Sequence, residues 1–455
     1  MSVEIHHGDC ADVIKTILDQ SIDSVVTDPP YALTSIVKRF GKAAVADDTK
    51  TGERSRAGSD GYARLAKGFM GKEWDNGAVA FTPEFWAEVL RVLKPGAHLV
   101  AFGGTRTYHR LACAIEDAGF EIRDQLGWLY GSGFPKSYDV SKGIDKAKGA
   151  ERGKIRIDAA NVRNPKATGA GRNGMEGATR PWIEKALKDG FYEAVSDEAV
   201  SDEAVSWQGW GTALKPAWEP IVLARKPLAG TVAANVLEYG TGALNIDASR
   251  IEYASEEDKA AAAAAAAQRL CQTGPGIYGG LAGTGIKTEA ELSRSIASIA
   301  PTLKHMDKGR WPANIIHDGS EEATSGFPKT ESQQNIVTSK PGAGLPSHTG
   351  LYGFNDSGSA ARYFYSAKAD AGDRLSSKHP TLKPVDLMAY LCRLITPPGG
   401  TILDPFAGSG TTGMACMRES FNAILIEREA EYVADIRRRL AHVSGEDTPL
   451  FAGLA

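Results

Sequence analysis

Short apolar segments and amphipathic segments of about ten residues alternate over the first 130 positions of the chain and again after position 378. The strand candidates are VEIHHG, SVVT, AHLVAFGG and EIRDQLGWLYG in the first region, and GTILD and NAILIE in the second. Strands that are separated by helices of this length pair as parallel βαβ units. The pattern therefore predicts an α/β protein with a mostly parallel sheet, to which both ends of the chain contribute.

The middle of the chain interrupts this pattern. Between residues 132 and 375 the sequence is rich in glycine, asparagine, serine and lysine, apart from one apolar strand, EPIVLARKP at 219–227. A polar, glycine-rich stretch at 32–80 is too long for an ordinary connection, and we predict a lid loop there. We therefore expect residues 1–131 and 376–445 to form two halves of one domain. Residues 132–375 would be an insertion that returns one strand to the sheet.

Composition excludes only a few functions. The net charge of -4 and the isoelectric point near 6.2 argue against a protein that coats nucleic acid by bulk charge, but they are compatible with a local basic face. The five cysteines include no CxxC pair, so the sequence predicts neither a metal site nor a disulfide framework. No leader pattern and no run of ~18 apolar residues is present. These features predict a cytoplasmic protein that does not bind a membrane.

The stretch TILDPFAGSGTTG joins the end of a strand, a glycine-rich turn and the start of a helix. Gly408, Gly410 and Gly413 have the GxGxxG spacing, which lets the backbone approach a ligand while the helix start offers free N–H groups. A second strand follows and ends on Glu427, close to the spacing at which an acid binds ribose hydroxyls. The preceding Asp404 would repel a diphosphate. The turn therefore predicts a nucleotide-type site for a ligand that lacks a diphosphate.

The strand SVVT runs into the tetrapeptide DPPY at positions 28–31. Because proline restrains its neighbour and donates no hydrogen bond, Asp28 and Pro29 should be held rigidly at the carboxyl end of the strand, where open α/β sheets bind ligands. The turn offers the Asp28 carboxylate, a Pro29 carbonyl with no Pro30 N–H beside it, and the flat ring of Tyr31. Two acceptors and a stacking ring match an amino group on a planar base. The alternative is a helix cap beside a buried tyrosine.

With these residues, the chain resembles the S-adenosylmethionine-dependent DNA amino-methyltransferases, which methylate adenine N6 or cytosine N4. DPPY resembles their catalytic motif, DPFAGSGTTG their methionine-binding loop, and HPTLKP at 379–384 the cofactor segment before that loop. HGDC resembles the segment whose acid contacts the cofactor adenine. The motif order, with the catalytic turn first, resembles the circularly permuted β group. The resemblance implies a circularly permuted Rossmann-like methyltransferase sheet with a large inserted target-recognition region.

The same resemblance assigns site residues. The catalytic residues are Asp28, Pro29, Pro30 and Tyr31. The residues that bind S-adenosylmethionine are Asp9, His379, Thr381, Lys383, Asp404, Phe406, Gly408, Ser409, Gly410, Thr411 and Glu427.

The expected reaction is methyl transfer to a base that is flipped out of the duplex. Asp28 and the Pro29 carbonyl would accept the two amino hydrogens, which directs the nitrogen lone pair at the methyl group. By the resemblance, aspartate at position 28 favours adenine N6, and cytosine N4 is the alternative. An RNA base or a protein amide as the substrate, and a non-catalytic or nicotinamide-binding Rossmann protein, are further alternatives. No nuclease domain is predicted, so methylation alone is expected.

Double-stranded DNA is the expected partner, and binding to its phosphates requires basic side chains. The predicted lid carries several, including Arg39. The repeated pentapeptide SGFPK places Lys136 and Lys329 in two similar turns, which are candidate phosphate contacts. A solvated loop and two unrelated turns are the alternative. The resemblance also allows a homodimer.

Overall fold

The computed structural model describes residues 1–31, 79–133, 137–158, 188–263, 308–332, 335–338, 349–352, 356–367, 371–375, 377 and 382–444. The strands in these residues are β1 (Val3–His7), β2 (Ile22–Thr27), β3 (Leu93–Phe102), β4 (Glu121–Leu129), β5 (Lys154–Asp158), β6 (Phe191–Val195), β7 (Trp218–Arg225), β8 (Ile315–His317), β9 (Lys329–Ser332), β10 (Asn335–Thr338), β11 (Thr349–Tyr352), β12 (Asp356–Ser359), β13 (Tyr365–Ser366), β14 (Thr401–Asp404) and β15 (Asn422–Glu427). The α-helices are Cys10–Val13, Pro83–Val92, Tyr108–Asp117, Val140–Lys148, Asp202–Ser206, Val232–Tyr239, Glu321–Thr324, Val385–Ile395, Thr411–Glu419 and Ala430–Ser444.

Nine strands form one sheet in the order β1-β15-β14-β2-β3-β7-β4-β8-β13. Every neighbouring pair is parallel except the two that involve β7, which is antiparallel to both β3 and β4. The predicted α/β class with a mostly parallel sheet is therefore confirmed. β14, at residues 401–404, lies beside β2, at residues 22–27, so the two motifs that follow these strands are neighbours in the sheet although they are distant in the sequence.

The central strands are buried on both faces, as their continuous apolar sequences require. Val25 and Leu99 face one core, which includes residues of the helices Pro83–Val92 and Tyr108–Asp117. Their neighbours Val26 and Val100 face the other core, which includes the helix Val385–Ile395. This alternation follows from the two-residue period of a strand. Described helices therefore pack on both faces of the sheet.

The strand order reverses between β14 and β2. From β14 the chain continues outward to β15, whereas from β2 it continues in the opposite direction to β3. Open α/β sheets bind ligands at such a switch point, at the carboxyl ends of the strands. Because β7 is antiparallel, its first residues lie at this same edge, where Glu219 pairs with Trp128 of β4.

The chain divides into two compact units. The first contains Met1–Gly131, Trp218–Leu375 and Leu382–Ala455, and the second contains Ser132–Ala217 and Ser376–Thr381. The predicted insertion, residues 132–375, thus contributes to both units. Within the second unit, Asp145 and Arg152 form a buried ion pair with an Nε–Oδ2 distance of 2.7 Å. Among the described helices, none is both long and apolar enough to cross a bilayer.

Candidate active site

Four acids that the sequence analysis selected lie at the carboxyl ends of neighbouring strands. Asp9 follows β1, Glu427 ends β15, Asp404 ends β14 and Asp28 follows β2. These strands are adjacent in the sheet, and neighbouring strands are about 4.8 Å apart. The acids therefore form a row along one edge of the sheet, with the switch point between Asp404 and Asp28.

The turn at residues 28–31, which is predicted to be catalytic and is named the catalytic turn below, is fixed at the end of β2. Pro29 is buried, and the Thr107 hydroxyl donates a 2.8 Å hydrogen bond to the Tyr31 carbonyl oxygen. A Cβ atom on Gly104 would come within 3.1 Å of the Tyr31 Cβ, so a larger residue there would press against the turn. The structure thus brings the four predicted catalytic residues together as one turn against the segment after β3.

The side chain of Lys383 contacts two residues of this turn. Its Nζ donates hydrogen bonds to Asp28 Oδ2 at 2.7 Å and to the Tyr31 hydroxyl at 3.1 Å. The same Nζ lies 3.1 Å from Glu219 Oε2, which also accepts a 3.0 Å hydrogen bond from the Tyr31 hydroxyl. Lys383 is predicted to bind the cofactor. In the structure its ammonium group contacts Asp28 and Tyr31 of the catalytic turn.

Asp28 keeps one oxygen free of these contacts. Oδ1 is buried and has no hydrogen-bond partner among the residues that the structure describes. Buried polar atoms are nearly always paired, and an unpaired one costs about 1–3 kcal/mol. Asp28 Oδ1 is therefore a site at which a donor from a ligand would be stabilised.

Glu219 was not selected from the sequence. Within its own segment it is only a charged residue at the start of an apolar strand, and its importance depends on β7 being antiparallel. That direction brings the start of β7 to the carboxyl ends of the parallel strands. A carboxylate at the first positions of a returning strand is the signal that could have found it.

The cluster of Asp28, Glu219, Lys383 and Tyr31 contains two carboxylates and one ammonium group. Burial alone would lower the pKa of Lys383, but Asp28 and Glu219 raise it above its ordinary value. Burial, followed by the charges of Asp28 and Glu219, also raises the pKa of Tyr31 well above its ordinary value. Lys383 is therefore charged and Tyr31 is neutral near neutral pH, and both act as hydrogen-bond donors.

The glycine-rich loop has the backbone conformation that its sequence requires. Gly408 and Gly410 have φ angles of +52° and +76°, in the left-handed region that favours glycine. A Cβ atom on Gly410 would lie 2.9 Å from the side chain of Ile436. Phe406 packs against Phe85, with 5.3 Å between the ring centroids. The loop is thus shaped by close packing on the protein side, and it leads directly into the helix Thr411–Glu419.

Asp404 is bonded within the protein. Its carboxylate accepts hydrogen bonds from the hydroxyls of Thr27, at 2.6 Å, and Thr412, and from the Phe406 N–H at 3.1 Å. Burial raises the pKa of Asp404 to about 6, although these three bonds oppose the shift. The geometry gives Asp404 the role of fastening the loop to β2. Its predicted contact with a cofactor stays a prediction.

Glu427 and Asp9, at the other end of the row, accept hydrogen bonds from backbone N–H groups. Glu427 accepts the N–H groups of Gly408 and Glu429, each at 2.8 Å, and burial raises its pKa to about 7. Asp9 caps the helix Cys10–Val13 by accepting the Ala11 N–H at 2.9 Å. The Gly8 N–H donates to the Glu427 carbonyl oxygen at 3.0 Å, which joins the two strand ends.

A buried guanidinium group supports the loop from behind. Arg439 is fully buried and donates to the carbonyl oxygen of Ser409, to the Thr411 hydroxyl at 3.3 Å and to the Asp373 carbonyl oxygen at 2.7 Å. Burial lowers the pKa of Arg439 to about 10. Arg439 is not among the residues predicted from the sequence, although an arginine at an inward position of an amphipathic helix is a usable signal.

The residues in this row fit a nucleoside cofactor without a diphosphate. The carboxylate of Glu427 lies beside the glycine-rich loop, where it accepts the Gly408 N–H. Ribose hydroxyls are donors that bind an acid at this position of the fold. The row spans four strand ends, so it suits an elongated ligand that extends toward the free Asp28 oxygen. S-adenosylmethionine, the predicted cofactor, has this chemistry.

Several predicted residues cannot be placed in the site. His379, Thr381, Arg39 and Lys136 lie outside the described residues. Nearly all of the predicted lid, 32–80, does so as well. Lys329 is exposed at the start of β9, on a two-stranded ribbon with β12 outside the nine-stranded sheet. Its contact with DNA stays a prediction.

Comparison with known proteins gives three findings. A family described as DNA methylase matches residues 22–438. The chain is 43% identical to the type II methyltransferase M2.DpnII of Streptococcus pneumoniae over 68 residues, which are 15% of this chain. It is 39% identical to the type II methyltransferase M2.MboI of Moraxella bovis over 72 residues, which are 16% of this chain. These segments span only 25% and 26% of the two relatives. A solved structure of an M1.HpyAVI–SAM complex aligns over 96% of this chain and 100% of its own, with 15% identity and a TM-score of 0.34.

Proposed function

The chain belongs to the DNA methylase family of N6- and N4-methyltransferases, and from this premise we propose that it transfers a methyl group from S-adenosylmethionine to the N6 amine of adenine in duplex DNA. The predicted family is confirmed by the match over residues 22–438, and membership supports the predicted cofactor. The observation that carries the proposal is Asp28 Oδ1, a buried acceptor without a partner among the described residues, at the switch point of the sheet.

The geometry gives each residue of the catalytic turn a separate task. Bound S-adenosylmethionine would supply an electrophilic methyl group. Asp28 Oδ1 and the Pro29 carbonyl would accept the two hydrogens of the amine and so orient its lone pair. Asp28 would then take the proton that the nitrogen loses when it gains the methyl group. Tyr31, whose backbone and hydroxyl are both anchored, would present its ring to the base.

The target amine lies inside the duplex, so the base must leave the helix to reach the turn. Flipping costs a few kcal/mol, and stacking on an aromatic ring offsets part of that cost. Asp28 and Pro29 lie at the carboxyl end of a strand whose faces are covered by described helices, and the base would enter at these strand ends. We therefore include base flipping and duplex DNA in the proposal.

The choice of adenine rests on the aspartate at position 28 and on the family pattern. Cytosine N4 is the second candidate, because its amine presents the same two hydrogens to the same acceptors and because the family includes both activities. Restriction-modification is the setting that the named type II relatives support. The predicted cytoplasmic location and homodimer stay predictions, and the chemistry described here requires neither.

Analysis of the nucleosides in treated DNA tests the proposal. Unmethylated duplex DNA is incubated with the purified protein and S-adenosylmethionine, digested, and separated against standards of both methylated nucleosides. We expect N6-methyladenine with the wild-type protein and none with Asp28→Asn. N4-methylcytosine alone would overturn the adenine assignment. The absence of any methylated base, with cofactor binding intact, would overturn DNA methylation.

A further inference from the structure

We propose that Glu219 is a positioning residue for methyl transfer, which holds the Lys383 ammonium group and the Tyr31 hydroxyl so that Asp28 presents Oδ1 to the amine. This inference rests on the proposed function, because it concerns the same turn. It adds a residue from β7, which is far from the catalytic motif in the sequence and runs in the opposite direction to the strand before that motif.

Lys383 makes two hydrogen bonds and a second ion pair in this cluster. Its Nζ donates to Asp28 Oδ2 at 2.7 Å and to the Tyr31 hydroxyl at 3.1 Å, and it lies 3.1 Å from Glu219 Oε2. An ammonium group has three N–H donors. Glu219 thus attracts the side of the ammonium group that does not bond Asp28 or Tyr31.

The Tyr31 hydroxyl connects Glu219 with Lys383. This hydroxyl has one hydrogen, which it donates to Glu219 Oε2 at 3.0 Å while it accepts a hydrogen from Lys383. Glu219 thus contacts both neighbours of Asp28, Tyr31 by a hydrogen bond and Lys383 by an ion pair. Among the residues that the structure describes, Asp28 Oδ1 has no hydrogen-bond partner.

Removing the Glu219 carboxylate would change both geometry and charge. A neutral amide at this position attracts the ammonium group less than a carboxylate does, so the ammonium group would shift toward Asp28. The positive charge of Lys383 would then be balanced by Asp28 alone instead of being shared between two carboxylates. Lys383 is largely buried, with its side chain 8% exposed, so water screens neither effect well.

The test is the single-turnover rate of methyl transfer to duplex DNA for Glu219→Gln. We expect this rate to fall by on the order of 10- to 100-fold, since small displacements of a reacting group have effects of this size. The dissociation constant for S-adenosylmethionine, measured by calorimetry, should stay within about twofold of wild type, because Glu219 is on the other side of the turn from the glycine loop. If Glu219→Gln does not fold, Glu219→Asp, which withdraws the carboxylate from Lys383, replaces it with the same expectation.

A matched control exists on β4, the strand that pairs with β7. Glu121 Oε2 accepts a 2.6 Å hydrogen bond from Arg225 at the other end of β7. Glu121→Gln therefore makes the same change in charge next to the same strand, away from the catalytic turn. It should retain the wild-type rate.

Lys383→Met distinguishes positioning from a general structural role. If Glu219 acts through Lys383, adding Glu219→Gln to Lys383→Met should lower the rate no further, so the effects are not additive. Additive losses would contradict the inference, and so would a wild-type rate in Glu219→Gln. A wild-type protein that binds the cofactor but methylates no DNA would instead refute the proposed function, which keeps the two failures distinct.

Discussion

The Thr27 hydroxyl donates a 2.6 Å hydrogen bond to Asp404 Oδ1, although 377 positions separate the two residues in the chain. Thr27 is the last residue of β2 and directly precedes the catalytic turn, and Asp404 is the last residue of β14 and directly precedes the glycine-rich loop. Both residues are buried. The bond therefore fixes the two functional segments to each other across the switch point of the sheet.

Replacing Thr27 by valine should weaken this connection in a pH-dependent way. Hydrogen bonds to charged groups are worth about 1.5–3 kcal/mol, so the free energy of unfolding should fall by about that much at pH 8. Burial raises the pKa of Asp404 from 3.8 to about 6, so the carboxyl group is mostly neutral at pH 5 and the loss should be smaller there. Denaturant unfolding at both pH values measures the difference.

Ser24→Ala is the control for this variant. Ser24 lies on the same strand and is buried, and its hydroxyl bonds at 2.8 Å to the neutral hydroxyl of Thr396. Its removal should cost about 0.5–1.5 kcal/mol at either pH. Equal losses at pH 5 and pH 8 in Thr27→Val would contradict the role of Asp404.

The glycine loop allows a matched pair of substitutions. Gly410→Ala and Gly399→Ala place alanine at similar positive φ angles, +76° and +70°. Backbone strain should therefore lower the free energy of unfolding of each variant by about 1–2 kcal/mol. At Gly399 the new Cβ meets nothing within 4 Å, whereas at Gly410 it meets Ile436 at 2.9 Å. We expect Gly410→Ala to lose a further ~1–3 kcal/mol of stability and to bind S-adenosylmethionine more weakly.

Unfolding curves and calorimetry of these two variants check the prediction. Gly399→Ala should bind the cofactor with wild-type affinity, because its turn precedes β14 rather than following it. Equal affinity in both variants would show that the loop conformation does not matter for the cofactor.

Cofactor affinity should depend on pH through Glu427. Burial raises its pKa to about 7 in the free protein, and ribose hydroxyls donate to the ionised form. Binding at lower pH must therefore release a proton, and the dissociation constant should rise about tenfold between pH 8 and pH 6. Isothermal titration calorimetry at these pH values measures it. A constant affinity would remove Glu427 from the cofactor site.

Glu427→Gln is the control for this dependence. It should bind the cofactor more weakly at pH 8 and lose most of the change with pH. The pH dependence of the Glu427 contribution to stability is opposite to that of cofactor binding: a higher pH strengthens binding and lowers the stability of the free protein. Because its folded-state pKa is raised from 4.5 to about 7, the stabilisation is fully present below pH 4.5 and is lost as the pH rises through about 7.

Local patterns in the sequence were sufficient to predict the α/β fold, the position of the turn at residues 28–31 after a strand, and the conformation of the glycine loop. Each depends on residues that are adjacent in the chain: the prolines restrain Asp28, and the glycines adopt positive φ before a helix. Strand ends in a parallel sheet meet at one edge, so these separate motifs could also be expected to lie together.

The contacts that complete the site could not be predicted in this way. The contacts of Glu219, and of Arg439 with the glycine loop, depend on long-range geometry, which a local pattern does not contain. Lys383 was selected as part of a motif, but its bond to Asp28 joins positions 355 apart. Asp404 is predicted to bind the cofactor, and that contact stays a prediction; its hydrogen bond from Thr27 joins positions 377 apart, which a local pattern does not contain.

The central claim is that the turn at Asp28 methylates the amine of adenine in DNA. Sequencing that detects modified bases, applied to DNA from cells that express the wild-type protein or Asp28→Asn at equal levels, tests it most directly. The account predicts N6-methyladenine at one recurring sequence with the wild-type protein and none with the variant. Equal modification by both proteins, or modification of cytosine alone, would contradict it.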